Sequence, residues 1–466
     1  MLTLTVDTLV DITGGTLLRG LGHTMVTDIV TDSREVNPGC AFVAFVGDRA
    51  DGHAYIGDAV RAGSRAVIIT RDEDDVASQF AAAARSDTAL VLVSDALAAV
   101  QALATHHRRR LDCPVIAITG STGKTTTKDM LTSVLSTKLE VAATVENRNN
   151  ELGVPLTLLA APVTADVVVI EMAMRGRGQL AELCRIVAPD LGLVTNVGEA
   201  HIEILGSQEA VADSKAELLA SLPADGRAFL NGDDAWSEHL TESATAPVTL
   251  YGLGEGNDVR AVDVTTDAAG FASFALETAR GSMPVHLSVP GRHNAYNAAA
   301  AAAVALHLGI DLTDIAVGLG NASGSPMRME TFVTARGVTV VNDAYNANPT
   351  SMRAALATLA DMTLGRNRVA ILGDMAELGS LTELAHFRLG ERVAELGIDA
   401  LIAVGPRAQR IADGALAAGM PREAVIAADD VTSGLAAATG LVETGDVVLV
   451  KASRVMGLEA IVEGIS

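Results

Sequence analysis

Aromatic side chains are scarce: Phe, Trp and Tyr make up 3% of the 466 residues, with a single tryptophan. The apolar volume, 49% of residues, therefore comes mainly from Ala, Val and Leu. Cysteine is scarce as well. Cys40, Cys113 and Cys184 are odd in number, far apart and form no C-x-x-C pair, so neither a disulfide framework nor a cysteine zinc site is indicated. Positive charge is in deficit, with 34 Lys and Arg against 57 Asp and Glu for a net charge of -23, which argues against non-specific binding to nucleic acid or an anionic membrane. No stretch approaches the roughly 18 uninterrupted apolar residues of a membrane span. The start, MLTLTVDTLVDITGG, lacks the basic end and apolar core of a signal peptide. A cytoplasmic protein without membrane insertion or a nucleic-acid partner is expected. The length exceeds one hydrophobic core and suggests about three domains.

What the sequence does contain is VIAITGSTGKTTT, Val115 to Thr127. An apolar run of strand type, Val115 to Ile118, precedes a glycine-bracketed turn, and Lys124 to Lys138 has helix-compatible composition with Met130, Val134 and Leu135 on one face. Gly120 and Gly123 permit backbone angles that let the N–H groups of Ser121, Thr122, Lys124, Thr125 and Thr126 converge on a polyphosphate at a helix N-terminus. Lys124 adds a point charge for the outer phosphates and Thr125 a hydroxyl for magnesium. The strict G-x-x-x-x-G-K-[ST] pattern fails, because Ile118 stands where it requires glycine. The shorter T-G-x-x-G-K-T form remains, in the strand, turn and helix order that phosphate binding demands.

Before this loop, strand-like AFVAFV and AVII flank a helix-like stretch from Ala54 to Ala62, a small α/β unit. Asp32, Ser33 and Arg34, and again Asp51, Gly52 and His53, are polar loops suited either to a ligand or to ordinary turn chemistry. HHRRR, His106 to Arg110, ends a helical run that starts near Asp95, and a cationic helix C-terminus fits it better than a nucleic-acid patch. A first boundary is placed at 108/109. After the phosphate loop, Asn147, Asn149 and Asn150 crowd a loop that can wall a ligand. DVVVIE ends a buried-strand run on Glu171, a place where magnesium is commonly held. A second strand, LGLVTNVG, leads into Glu199, Ala200 and His201. Lys215 shares a helix face with Val211, Leu218, Leu219 and Leu222. A buried lysine is costly unless paired or chemically changed, and snorkelling to solvent is its alternative.

Gly252 to Gly256 imitates a dinucleotide fingerprint, but strand-like residues follow it, so it is rejected as a cofactor site. GRHNAYNAAAAAAVALHLG opens with asparagine capping and continues as an alanine-rich helix. SGSP, Ser323 to Pro326, marks a second boundary at 322/323. Beyond it VTVVNDAYN, RVAILGD, ALIAVG and DVVLVKAS alternate with helices at Ser351 to Leu359 and Glu383 to Leu396 as βαβ units. The fold class expected is α/β in three domains: a small α/β N-terminal domain (1–108), a central phosphate-loop domain with a parallel or mixed sheet (109–322) and a Rossmann-like C-terminal domain (323–466).

TGSTGKTTT, EMAMRGRG, NVGEAHIEILGS, the Lys215 helix, GRHNAYNAA and DAYNANPTSM stand in an order that resembles the ATP-dependent Mur ligases of peptidoglycan synthesis, over essentially the whole chain. NRNNELGVPLTLL, DAYNANPTSM and ILGDMAELG resemble the branch that adds a dipeptide. The branch adding a single amino acid and folylpolyglutamate synthase are less similar. The resemblance implies that ATP phosphorylates the terminal carboxylate of UDP-N-acetylmuramoyl-tripeptide and that the amine of D-alanyl-D-alanine displaces phosphate. It implies Lys124, Glu171, His201 and Lys215 as catalytic, Thr125, Glu171, His201 and Lys215 as metal ligands for Mg2+, and Lys215 as carbamylated. Asn294, Arg328 and Asp343 match positions that hold adenine, phosphate and ribose. Ser33, Arg34, Asp51 and His53 resemble the uridine-nucleotide end, and Asn346 and Asn348 lie in a substrate-facing loop. A monomer is expected. VKASR carries Ala452, and the Lys215 helix Ala216, where that family usually shows glycine.

Overall fold

Short apolar runs become a five-stranded sheet near the N-terminus. Its strands are β1 (Thr16–Arg19), β2 (Asp28–Val30) and β3 (Cys40–Val43), then, after helix α1 (Ile56–Ala62), β4 (Ala66–Ile69) and β5 (Ala89–Leu92). They lie in the order β1-β5-β4-β3-β2, parallel except for β1 against β5. Phe42, Ile56, Val67, Ile69 and Leu90 pack its core. Strand β3 stops at Val43, short of the six residues of AFVAFV, because the Gly52 N–H donates to the Phe45 carbonyl at 2.6 Å and folds the chain into a turn. Helix α1 likewise begins at Ile56, after a 3₁₀ turn over Gly52–Tyr55. Helix α2 (Ala96–Arg108) is capped by Asp95, and its C-terminal Arg108 is tied to Asp190 at 2.8 Å and to the Val187 carbonyl at 2.8 Å, so this cation is spent inside the protein.

The computed structural model describes residues 2–47, 50–83 and 88–466, and its chain divides into two units. The first comprises Met1–Ala117, Leu139–Ala173 and Leu180–Leu191, and the second Ile118–Lys138, Met174–Gln179 and Gly192–Ser466. Strands β6 (Val115–Thr119) and, further on, β9 (Leu191–Val194) begin in the first unit and end in the second. Helix α3 (Lys124–Leu135) follows β6, with Met130, Val134 and Leu135 fully buried. In the first unit β7 (Val141–Ala143), helix α4 (Gly153–Ala160) and β8 (Val167–Glu171) complete a strand order β9-β6-β8-β7.

In the second unit β9 leads to helix α5 (Gln208–Ala220), and the sheet continues through β10 (Arg227–Asn231), β11 (Val248–Gly252), β12 (Val259–Thr266), β13 (Phe271–Thr278) and β14 (Gly281–Pro290). Strands β12 to β14 pair antiparallel. The glycine loop after β11 turns on Asp233, whose carboxylate accepts from the Leu253 and Gly254 N–H groups at 2.6 and 3.1 Å; a resident carboxylate takes the amides a phosphate would use. Helix α6 (Asn294–His307) is fully buried over Ala298–Ala302, where methyl side chains let it lie close to α3.

The same unit carries a six-stranded sheet of β15 (Glu330–Val333), β16 (Thr339–Asn342), β17 (Arg368–Gly373), β18 (Ala400–Val404), β19 (Val425–Ala428) and β20 (Val447–Lys451). Their order is β15-β16-β20-β17-β18-β19, parallel except at β15. Helices α7 (Pro349–Asp361) and α8 (Thr382–Glu395) alternate with the strands. Both faces are buried, with Ala370 and Leu372 in one core and Val369 and Ile371 in the other, as period-2 alternation in a doubly covered sheet requires. This is the Rossmann-like arrangement. Ala452 fits because a Cβ on residue 373 would lie 2.7 Å from its own, and that residue is glycine.

Candidate active site

The phosphate loop is built by exclusion. Gly120 takes φ +150° and Gly123 φ +80°, and a Cβ at either would collide, with Thr195 Oγ1 and Asn297 Oδ1 respectively. The turn after β9 braces the loop from behind. Asn196 Oδ1 accepts from the Thr122 N–H at 3.0 Å, its Nδ2 donates to Thr122 Oγ1 at 2.9 Å, and its carbonyl accepts from the Ser121 N–H at 3.0 Å. Thr195 Oγ1 donates to the Thr122 carbonyl at 2.6 Å, and the Gly198 N–H donates to Ser121 Oγ at 2.8 Å. The amides of Ser121 and Thr122 are thus committed to the brace. The first turn of α3, from Lys124 to Thr126, opens on the left-handed Gly123, which has no side chain to cap the helix N-terminus. Lys124 Nζ donates to the Gly120 carbonyl at 2.7 Å, holding the charge over the loop. The brace is anchored in turn by Tyr251, whose buried hydroxyl donates to the carbonyls of Val194 and Thr195 at 2.8 and 3.2 Å.

Asn294 is the first residue of α6. It is 1% exposed, its Nδ2 donates to the Pro290 carbonyl at 2.7 Å, and its Oδ1 accepts from Asn297 Nδ2 at 2.7 Å. Asn297 Oδ1 then accepts from Thr127 Oγ1 of α3 at 3.2 Å, a chain that joins α6 to the phosphate-binding helix.

Lys215 is 1% exposed on α5, which excludes snorkelling. Burial, the largest cause, and the charge of Lys124 push its ammonium well below the ordinary 10.5, against the opposing pull of Asp234. Asp234 is fixed by the N–H groups of Val197 and Trp236, both at 2.9 Å. His201 has φ 61° and ψ 19° and shares a hydrogen bond of 2.7 Å between its Nδ1 and Glu377 Oε2. Burial lowers its pKa, with Lys124 and Lys215 acting in the same sense and Glu377 opposing.

Arg328 lies over the Tyr345 ring, 4.0 Å from its centroid, between Met327 and Met329 at φ 58° and 52°. Two left-handed residues around one arginine aim it against the backbone's own preference. Asp343 Oδ1 accepts from the Met329 N–H at 3.2 Å, so arginine and carboxylate share one scaffold. Asn346 is exposed, whereas Asn348 caps α7, its Oδ1 accepting from the Ser351 N–H at 2.9 Å.

In the first unit Glu171 ends β8 at 1% exposure, and its Oε1 accepts from Asn149 Nδ2 at 2.7 Å. Asn150 Oδ1 accepts from the Gly153 N–H at 2.8 Å at the start of α4, and Asn147 is exposed. Ser33 opens a 3₁₀ turn capped by Asp32, and Arg34 chelates Asp32 at 2.5 to 3.1 Å, holding that carboxyl down to about 2. Asp51 Oδ1 shares a 2.8 Å hydrogen bond with His53 Nδ1, and His53 Nε2 accepts from the Thr70 N–H at 3.2 Å. His53 is 2% exposed and fixes the turn with both ring nitrogens, while Arg71 pairs with Asp51.

Sequence reasoning missed Thr195, Asn196, Tyr251 and Glu377. The polar pair after β9 in VTNVG was the available signal for the first two. Tyr251 and Glu377 have no local signal, because their partners lie 57 and 176 positions away.

A sheet carrying a braced phosphate loop, joined to a Rossmann-like sheet, defines a nucleotide-dependent enzyme architecture, and comparison with known proteins gives it a family. Residues 26–108 match the Mur ligase family catalytic domain, 118–305 the Mur ligase middle domain and 327–454 the Mur ligase glutamate ligase domain. The chain belongs to the Mur ligase family. It is 35% identical over 464 residues to the UDP-N-acetylmuramoyl-tripeptide--D-alanyl-D-alanine ligase of Bacillus subtilis, covering 99% of this chain and 98% of that protein. Among solved structures, MurF from Acinetobacter baumannii is similar with a TM-score of 0.87 and 32% identity, covering 99% of this chain and 98% of that one. MurF ligase from Thermotoga maritima in complex with ADP has a TM-score of 0.78 and 29% identity, covering 94% and 97%.

Proposed function

We propose that this protein uses ATP to join D-alanyl-D-alanine to UDP-N-acetylmuramoyl-tripeptide in cytoplasmic peptidoglycan precursor synthesis. The observation that carries the reading is similarity across 99% of the chain to a ligase of that name. No helix among the described residues is long and apolar enough to cross a membrane. The boundaries 1–108, 109–322 and 323–466 are proposed as working domains, and each of the matched segments falls inside one of them.

A carboxylate becomes an acylating agent only when one of its oxygens can leave. Attack of the tripeptide carboxylate on the γ-phosphorus of ATP expels ADP and gives an acyl phosphate. The dipeptide amine then adds to the carbonyl carbon, and collapse of the tetrahedral intermediate forms the amide, with loss of a proton and inorganic phosphate. Transfer of this kind is governed by positioning and charge. Lys124 and the first-turn amides of α3 hold the outer phosphates and stabilise charge as the phosphoryl group moves. Asn294, Arg328 and Asp343 are assigned to adenine, phosphate and ribose, with Asn294 acting through the helix it holds.

Magnesium, when bound, screens the phosphate oxygens and holds them for in-line transfer. Thr125, His201, Lys215 and Glu171 are proposed to hold it. The donor set suits a divalent cation only if Lys215 changes sign, since an ammonium repels it. The depressed amine pKa favours that change: the neutral amine adds to CO2 and releases one proton, leaving a carbamate anion. At the substrate end we assign Ser33, Arg34, Asp51 and His53 to the uridine nucleotide, and Asn147, Asn149, Asn150, Asn346 and Asn348 to the peptide side. His53, Asn150 and Asn348 act through the turns they cap. Mass spectrometry of the product tests the reading: ATP, the UDP-linked tripeptide and D-alanyl-D-alanine should give the UDP-linked pentapeptide, and its absence from an active, ATP-consuming preparation would refute it.

A further inference from the structure

The loop after β17, Asp374 to Gly379, is held from several directions. Asp374 Oδ1 accepts from the Arg407 and Ala408 N–H groups at 3.0 and 2.7 Å, and its carbonyl accepts from the Ser453 N–H at 3.0 Å. The Met375 N–H donates to His386 Nε2 at 3.0 Å, and His386 Nδ1 donates to the Thr382 carbonyl at 2.7 Å. The Ala376 N–H donates to Ser453 Oγ at 2.9 Å. Met375 and Leu378 are buried in the sheet core. This framework leaves one side chain of the loop, Glu377, projecting toward the turn after β9, with its backbone at φ 60°. Its partner there, His201, is also left-handed at φ 61°. Such a conformation is disfavoured for a non-glycine residue and persists where its surroundings over-determine it. The 2.7 Å hydrogen bond from His201 Nδ1 to Glu377 Oε2 joins the two.

A carboxylate can only accept, so this bond requires the proton on Nδ1 and leaves the Nε2 lone pair as what a neutral His201 offers to a ligand. We infer that Glu377 is a positioning residue that sets the Nδ1–H tautomer and the ring orientation of His201, so that a carboxylate carried by the Rossmann-like sheet prepares a ligand of the phosphate-transfer site. Its consequence for metal affinity rests on the reading of His201 as a magnesium ligand given above. The chemistry is that of a carboxylate–histidine–metal relay, in which loss of the outer carboxylate typically weakens metal binding 10- to 100-fold.

The test uses the full chain labelled with ¹⁵N-histidine, with His201 assigned by its loss in His201→Gln. Long-range ¹H–¹⁵N correlations above neutral pH should show the Nδ1–H tautomer in the natural protein and its loss in Glu377→Ala, with Glu377→Gln, which can still accept a hydrogen bond, closer to the natural protein. Mn2+ titrated in the presence of ADP and followed by electron paramagnetic resonance should bind roughly 10- to 100-fold more weakly to Glu377→Ala. An Nε2–H tautomer in the natural protein, or one unchanged by Glu377→Ala, overturns the inference. The expected tautomer change with undiminished Mn2+ binding by His201→Gln upholds the positioning role and removes His201 from the metal.

Discussion

The ammonium of Lys451 lies 2.7 Å from Oδ2 of Asp343 and 2.8 Å from the carbonyl of Asn346, pinning the DAYNAN loop to the end of β20. Both side chains are largely buried, at 3% and 14% exposure. Removing one partner of such a pair leaves the other charge stranded, which costs about 3–5 kcal/mol. Lys451→Met should therefore lose stability on that scale in urea unfolding and raise the KM for ATP. The double change with Asp343→Asn should recover part of the stability but not the KM.

The phosphate loop separates charge from geometry. Lys124→Ala should lower turnover roughly 10²-fold or more with an unchanged melting temperature, as expected for a lost transition-state contact. Asn196→Ala removes the brace on Thr122 instead, and displacement of the loop by as little as about 1 Å is enough for a loss on the order of 10²-fold. Steady-state kinetics beside thermal melts check both, and normal turnover in either folded variant would take that residue out of the chemistry.

How much of this was legible beforehand depended on the range of each interaction. The loop, β8 ending on Glu171 and the apolar face around Lys215 are local patterns, and each appears where its spacing indicated. The buried strands β17, β18 and β20 were equally clear as continuous apolar runs. The edge strands β15 and β19 were not, because an edge needs little apolar surface and the half-exposed ETFV of β15 carries no alternation. The brace from Asn196 and the Tyr251 anchor arise from strands that meet only in the folded sheet, and the Glu377–His201 bond joins loops that follow strands of two different sheets. The left-handed Met327 and Met329 were invisible for another reason: methionine has no preference for that conformation, which tertiary contacts impose.

Lys215 should carry CO2. Intact mass and ¹³C NMR in labelled bicarbonate should reveal the adduct, and Lys215→Ala should lose activity that small carboxylic acids partly restore. Full activity of Lys215→Ala without additives would rule out the carbamate.

Stability should fall in mild acid in a way that His293 helps to set. Burial holds its imidazole down to about 4, with Asp343 favouring protonation and Lys451 opposing it, against an ordinary 6.5. The unfolded chain takes the proton first, so the contribution is complete above 6.5 and is lost as pH falls through about 4. Urea unfolding at about pH 7.5 and about pH 4.5 should show a smaller loss for His293→Gln than for the natural protein, and equal losses would exclude this histidine from the effect.

The acceptor decides the central claim. A site that pairs polar groups with the amide and carboxylate of a dipeptide leaves them unpaired when a single amino acid binds, and such losses discriminate strongly. Phosphate release from ATP and UDP-N-acetylmuramoyl-tripeptide should be rapid with D-alanyl-D-alanine and near background with diaminopimelate, lysine, glutamate or D-alanine. Equal or faster release with one of those amino acids would make the chain a ligase of a single amino acid, and brisk release with no amine at all would make it a nucleotide switch.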